Sequence, residues 1–263
     1  MMTRVADVAA AIEEFAPLAL QASFDNSGLI VGCPDDEVQG VLLAVDLTEE
    51  VIEEAVSMGA NMVITHHPII FNPLKRLNSA NCVERCVEMA IRAGVVIYAA
   101  HTNLDSAQDG MSWRLGEMLS LHSMERLDDD EGYGVVGDLS AEVDCREFID
   151  QVAARLGLEM VRHSAISSQR IDRVAICTGS GGSLLKAAIS KGADLYITAD
   201  LRYNDFFAAQ RELTIVDVGH YESEYCAIEI IYDILSKKMF NFALHKSLRG
   251  ENPVHYRTYV DRV

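Results

Sequence analysis

The chain has 263 residues, about half of them apolar, which is enough to build one large or two modest cores. Its formal net charge is −18, from 40 acidic against 22 basic residues. That balance argues against nucleic acid as a partner, because a nucleic-acid binder needs a basic face, and it is compatible with a site that concentrates cations.

In chain order, MMTRVADVAAAIEEF carries acids inside its apolar pattern and reads as an amphipathic helix rather than a signal peptide. No apolar run approaches the roughly 20 residues of a membrane span, so no membrane association is expected. VLLAVDL (41–47) predicts a strand and TEEVIEEAVSMG a helix with Thr48 as its N-cap. NMVIT (61–65) is the next strand, a helix follows around 80–93, and VVIYAA (95–100) closes a βαβ pattern that implies a largely parallel sheet. The six cysteines are scattered and form no CxxC pair, which points to a reducing cytoplasm. Cys82 and Cys86 fall four apart on the predicted helix, where burial is expected rather than metal binding.

The plan then repeats. Residues 41–65 slide by 133 positions onto 174–198 without a gap, sharing A-x-S-x-G-A-[ND]-x-x-I-T. Gly59 and Gly192 take the C-cap place for glycine in the two copies. VVIYAAHTNLD (95–105) also resembles TIVDVGHYESE (214–224), which pairs His101 and Asp105 with His220 and Glu224. A division into residues 1–125 and 126–263 follows, as two duplicated α/β halves.

The chemistry gathers where the predicted strands end, the place where parallel α/β sheets bind ligands. His66 and His67 follow the strand NMVIT, and Pro68 is expected to turn the chain so that both face one site. His220 and Glu224 share one face of a helix. Imidazole and carboxylate donors, with a carboxylate able to bridge, fit two divalent metal ions in one site built from His66, His67, Asp105, His220 and Glu224. Zinc, iron, nickel and manganese all suit these donors. Acid–base work could fall to His101, Glu222, Asp200 or Asp46, and spacing does not choose among them. His122, His163, His245 and His255 lack such context. The loop CTGSGGSLL (177–185) lacks the GxGxxG spacing; it reads either as a phosphate-binding helix start or as a plain tight turn.

THHPIIF, AAHTNLDSAQDG, the G-S-G-G loop with KGADLYIT, GHYESE and FDNSGLIVG together resemble the NGG-interacting-factor-three-like family, also labelled GTP cyclohydrolase type 2 homologues or dinuclear-metal-centre proteins. The resemblance runs from about residue 5 to the C-terminus. It implies two intertwined α/β halves with mixed sheets flanked by helices. It carries the metal ligands onto His66, His67, Asp105, His220 and Glu224, with Glu224 bridging. It further implies a homo-hexamer, a trimer of dimers, whose metal sites face an internal cavity. LDDDEGYGVVG then reads as a short linker where longer members insert a domain. The chain departs from the family pattern at Phe24, Val135, Ala199 and Asn204, which puts substrate in question rather than metal. The activity implied is a metal-dependent hydrolase acting on a nucleotide or another phosphate-containing small molecule. The alternative is a non-catalytic metal-binding regulatory or interaction protein.

Overall fold

The computed structural model describes residues 2–209, 211–239 and 241–257. Its strands are β1 (Gly28–Val31), β2 (Gly40–Ala44), β3 (Met62–Thr65), β4 (Val96–Ala99), β5 (His122–Arg126), β6 (Val135–Asp144), β7 (Arg162–His163), β8 (Arg170–Ile176), β9 (Leu195–Thr198), β10 (Thr214–Asp217) and β11 (Ala243–Lys246). They form two mixed sheets flanked by helices, in the orders β1-β4-β3-β2-β11 and β5-β6-β8-β9-β10-β7. In the first, β4, β3, β2 and β11 run parallel and only β1 is antiparallel. In the second, β8, β9 and β10 are the parallel centre between antiparallel neighbours.

The central strands are unbroken apolar runs because both of their faces are covered. Val41 and Leu43 point into one core and Leu42 and Ala44 into another on the opposite side of the sheet. The second sheet repeats this with Val174 and Ile176 against Ala175. Local signals behave as expected: Thr48 Oγ1 accepts the Val51 N–H at 3.2 Å and starts helix Glu49–Met58. Gly59 ends that helix at φ 73°, a left-handed conformation that glycine adopts without a Cβ penalty.

The duplication holds in register for two strands and slips at the third. Val41 pairs with Met62 and Val174 with Leu195, so both members of the pair are displaced by 133 residues. Met62 then pairs with Val96, and Leu195 with Thr214. Val96 therefore answers to Thr214, which puts His101 opposite Gly219 and not opposite His220. Both helices begin six residues beyond the Val96 and Thr214 pair, at Thr102 and His220. His101 and Gly219 therefore share the N-cap place, Gly219 at φ 87°, and His220 opens its helix where Thr102 opens the other.

Two features tie the halves together. Helix Cys226–Lys238 buries Ile228, Ile230, Ile231 and Leu235 in the core beneath β2 and β3. β11 then adds to the first sheet beside β2. LDDDEGYG is no linker: residues 127–134 are the turn joining β5 to β6, closed by the Asp128 N–H donating to the Tyr133 carbonyl at 3.0 Å. Among the described residues no helix is long and apolar enough to cross a membrane.

Candidate metal centre

His66 and His67 leave β3 and both turn inward. The turn is made by backbone and side-chain bonds rather than by Pro68 alone. Both histidine N–H groups donate to the Val45 carbonyl, at 3.1 and 3.0 Å, and the Thr65 hydroxyl donates to the His67 carbonyl at 2.8 Å. His66 is fully buried, and its Nδ1 lies 2.8 Å from the Ala100 carbonyl. A carbonyl only accepts, so Nδ1 carries the proton and Nε2 keeps a lone pair.

Asp105 ends the short helix Thr102–Asp105 beyond β4, and His220 and Glu224 bracket the helix His220–Glu224 beyond β10. All five predicted ligands converge. His67, His220 and Glu224 form one group, and His66, Asp105 and Glu224 a second; within each, one donor atom per residue lies within 4.8 Å of the others. Glu224 belongs to both. Its Oε2 stands 3.0 Å from His67 Nε2 and 2.9 Å from His220 Nε2, and its Oε1 3.7 Å from His66 Nε2. A third group joins His66, His67 and His101.

Three buried atoms of the cluster make no hydrogen bond of good geometry: His66 Nε2, Asp105 Oδ1 and Glu224 Oε2, the last meeting only the imidazole nitrogens of His67 and His220. The other such atom among the described residues, Ser106 Oγ, adjoins Asp105 in sequence. A buried unpaired polar atom costs about 1–3 kcal/mol, so several in one place call for a common partner. The three cluster atoms offer lone pairs, and a cation satisfies all of them together. The donor set therefore fits divalent metal ions.

The charges follow the same geometry. Burial, together with the Glu224 charge, pushes the Asp105 carboxyl up to about 7 against the opposing pull of His66 and His67. Burial also acts to raise Glu224, but the imidazoles of His66, His220 and His67 around it hold it well below the usual carboxylate range. Burial disfavours charge on His67, yet Asp46 and Glu224 outweigh it and raise that imidazole to about 10. The close Glu224 carboxylate is the leading cause that raises His220 to about 9.

Each of these imidazoles is fixed from behind. His67 Nδ1 meets Asp46 Oδ1 at 2.8 Å and His220 Nδ1 meets Asp200 Oδ2 at 2.8 Å. Such outer carboxylates set the tautomer and the ring angle of a ligand. Asp46 and Asp200, acid–base candidates by sequence, take this orienting role. His101 Nδ1 is held by Asp25 at 2.7 Å, and Asp25 also accepts from the Thr102 N–H and the Ser27 hydroxyl. Asp25 was not singled out by spacing, since 76 residues separate it from His101; only the motif FDNSGLIVG marked its neighbourhood. Glu222 points elsewhere. Its Oε1 accepts from Asn252 Nδ2 at 2.9 Å, and it lines a separate cavity with Arg114 and Arg155.

The glycine loop meets the cluster directly. Its Thr178, Gly179 and Gly181 N–H groups donate to Ser112 Oγ, Ser223 Oγ and Thr198 Oγ1 at 3.2, 2.9 and 2.9 Å. A Cβ on Gly181 would stand 2.3 Å from Thr198 Oγ1. These glycines let the backbone pass close to neighbouring side chains, so three of the loop's N–H groups are spent inside the protein. Beside the cluster lies a cavity of about 310 Å³, reached by Asp105, His101, His220 and Glu224 and walled by the glycine loop and the 127–134 turn.

Two interlocked α/β sheets with a buried histidine–carboxylate cluster at their strand ends define an α/β protein with a candidate metal centre. The chain belongs to the Duf34/NIF3 (NGG1p interacting factor 3) family, whose model matches residues 3–253. It is 35% identical to a "GTP cyclohydrolase 1 type 2 homolog" of Lactococcus lactis, over 96% of this chain and 99% of that one. A protein of Clostridium perfringens with the same name is 36% identical, over 83% of this chain and 86% of its own length. A solved structure of a hypothetical protein of Staphylococcus aureus superposes with a TM-score of 0.88 at 25% identity, covering 98% of this chain and 100% of that one.

Proposed function

We propose that this chain is a metal-dependent hydrolase that holds two divalent cations sharing Glu224, one with His66 and Asp105 and one with His67 and His220. The observation that carries this reading is the convergence of His66 Nε2, Asp105 Oδ1 and Glu224 Oε2, all buried and none in a well-formed hydrogen bond. Cations held there would supply Lewis acidity and make water acidic near neutral pH. The protein supplies the rest. Asp46 and Asp200 aim two imidazoles, and Glu224 reaches both groups from a buried position. His101, fixed through Nδ1 by Asp25, leaves Nε2 free beside the cavity, where it can take or give a proton. The names of the relatives put GTP first among the nucleotides to test.

Metal content per chain, measured by mass spectrometry on the wild type and Glu224→Ala, tests the site. About two ions in the wild type, falling sharply in the variant, supports it, and turnover of GTP by the metal-loaded protein supports the hydrolase. Full metal loading with no turnover of any nucleotide favours a metal-binding partner protein instead. A wild type that takes up no zinc, iron, nickel or manganese removes the proposal.

A further inference from the structure

The cavity beside the cluster has a one-sided lining. Four carboxylates reach it: Asp105 and Glu224 at the cluster end, and Asp128 and Glu131 on the turn between β5 and β6. Among the described residues no lysine or arginine lines it. On the reading that two divalent cations occupy the cluster, their four positive charges are balanced by these four carboxylates. No positive charge is left over for a phosphate chain. A cleft with walls of one sign attracts the opposite charge and repels its own.

The two carboxylates of the turn differ in freedom. Asp128 accepts the N–H groups of Asp130 and Glu131, each at 3.2 Å, and so fixes the turn. The Glu131 side chain is exposed and has no partner among the described residues. Two oxygens on one carboxylate match two adjacent N–H donors. Aromatic side chains complete the wall: Tyr133 on the same turn, and Phe24, which is 63% exposed. Phe24 stands 6.2 Å from Phe71 by ring centroids, an apolar face for a flat ring.

We propose that this cavity selects a planar nitrogen heterocycle with adjacent N–H donors on one edge and no phosphate chain. Glu131 takes the donor edge and Phe24 and Tyr133 flank the ring. This rests on the metal-site reading above and narrows its substrate class from nucleotide to nucleoside or base.

The test is binding to the metal-loaded protein, read by calorimetry, with guanosine, 1-methylguanosine, which lacks one donor of that edge, and GTP. Guanosine is expected to bind about tenfold or more tighter than either, the scale of one hydrogen bond to a charged acceptor. Glu131→Gln is expected to remove that preference for guanosine over 1-methylguanosine while metal content stays at the wild-type value. Tighter binding of GTP than guanosine, no binding of guanosine, or an unchanged preference in Glu131→Gln overturns the proposal. Because affinity and metal content are read without turnover, a protein that binds guanosine but hydrolyses nothing sinks the hydrolase reading and leaves this one standing.

Discussion

A β-carbon built on Gly179 would stand 2.1 Å from Glu224 Oε1, closer than any real contact. The glycine loop is thus shaped around the carboxylate that both ligand groups share, and Gly179 holds that approach at φ 65°. Gly179→Ala is expected to displace Glu224 and lower metal content, besides costing about 1 kcal/mol for a left-handed alanine. Gly192→Ala is the control. It has the same backbone strain, at φ 73°, but nothing within 4 Å of the added carbon. Metal analysis of both variants, with thermal unfolding of the metal-free forms, separates displacement from strain. Equal metal content in the two would refute the crowding explanation.

Asp200 touches the cluster only through His220. Asp200→Asn keeps the size of the side chain and weakens its hold on the imidazole. Metal affinity is expected to fall about 10- to 100-fold, the usual cost of losing an outer carboxylate. A competition titration with a chelator reads this. An affinity within twofold of wild type would show that His220 is fixed by Glu224 alone.

The metal-free cluster should carry a definite pH signature. His67 and His220 are raised to about 10 and 9 from an ordinary 6.5, so their pairing stabilises fully below pH 6.5 and is lost as pH climbs through those values. Glu224 is depressed below 4.5, so its share is present above pH 4.5 and fades as pH falls through its folded value. The chelator-treated protein is therefore expected to gain most from this cluster between pH 4.5 and 6.5. Metal binding must expel the imidazole protons, so affinity should weaken as pH drops below about 9. Calorimetry in two buffers of different ionisation enthalpy counts the protons released; a count of zero at pH 7 would contradict the scheme.

Glu54 anchors the segment that follows β11. It accepts from the Ser247 hydroxyl and from the Leu248 and Arg249 N–H groups, the latter two at 2.9 and 3.3 Å. Burial acts to raise this carboxyl, but these donors win and hold it below 4.5. Its contribution is present above that value and is lost as pH falls through the folded one. Glu54→Gln is expected to cost about 1–3 kcal/mol at neutral pH, because N–H donors lose a charged acceptor. Urea unfolding at pH 7 and pH 4 checks this, the gap between wild type and variant narrowing at the lower pH.

The sequence by itself determined the elements whose signals are local. Thr48 and Gly59 mark helix ends through bonds made within a few residues. The apolar runs of β2, β3, β9 and β10 follow from burial on both faces. The five candidate ligands were legible because each stands at the exit of such a strand. Tertiary structure alone decided what those residues meet. Asp25 reaches His101 across 76 positions, and Asp46 and Asp200 became orienting partners once the sheets fixed which side chain lay behind which imidazole. The equivalence of His101 and His220 failed by one residue because likeness of residue types does not fix the pairing register: His101 caps its helix, as Gly219 caps the other, and His220 opens its own. LDDDEGYG likewise looked like a spacer, since a polar run reads alike in a linker and in a turn. Only the pairing of β5 with β6 carries it to the cavity wall, where Glu131 faces the candidate site.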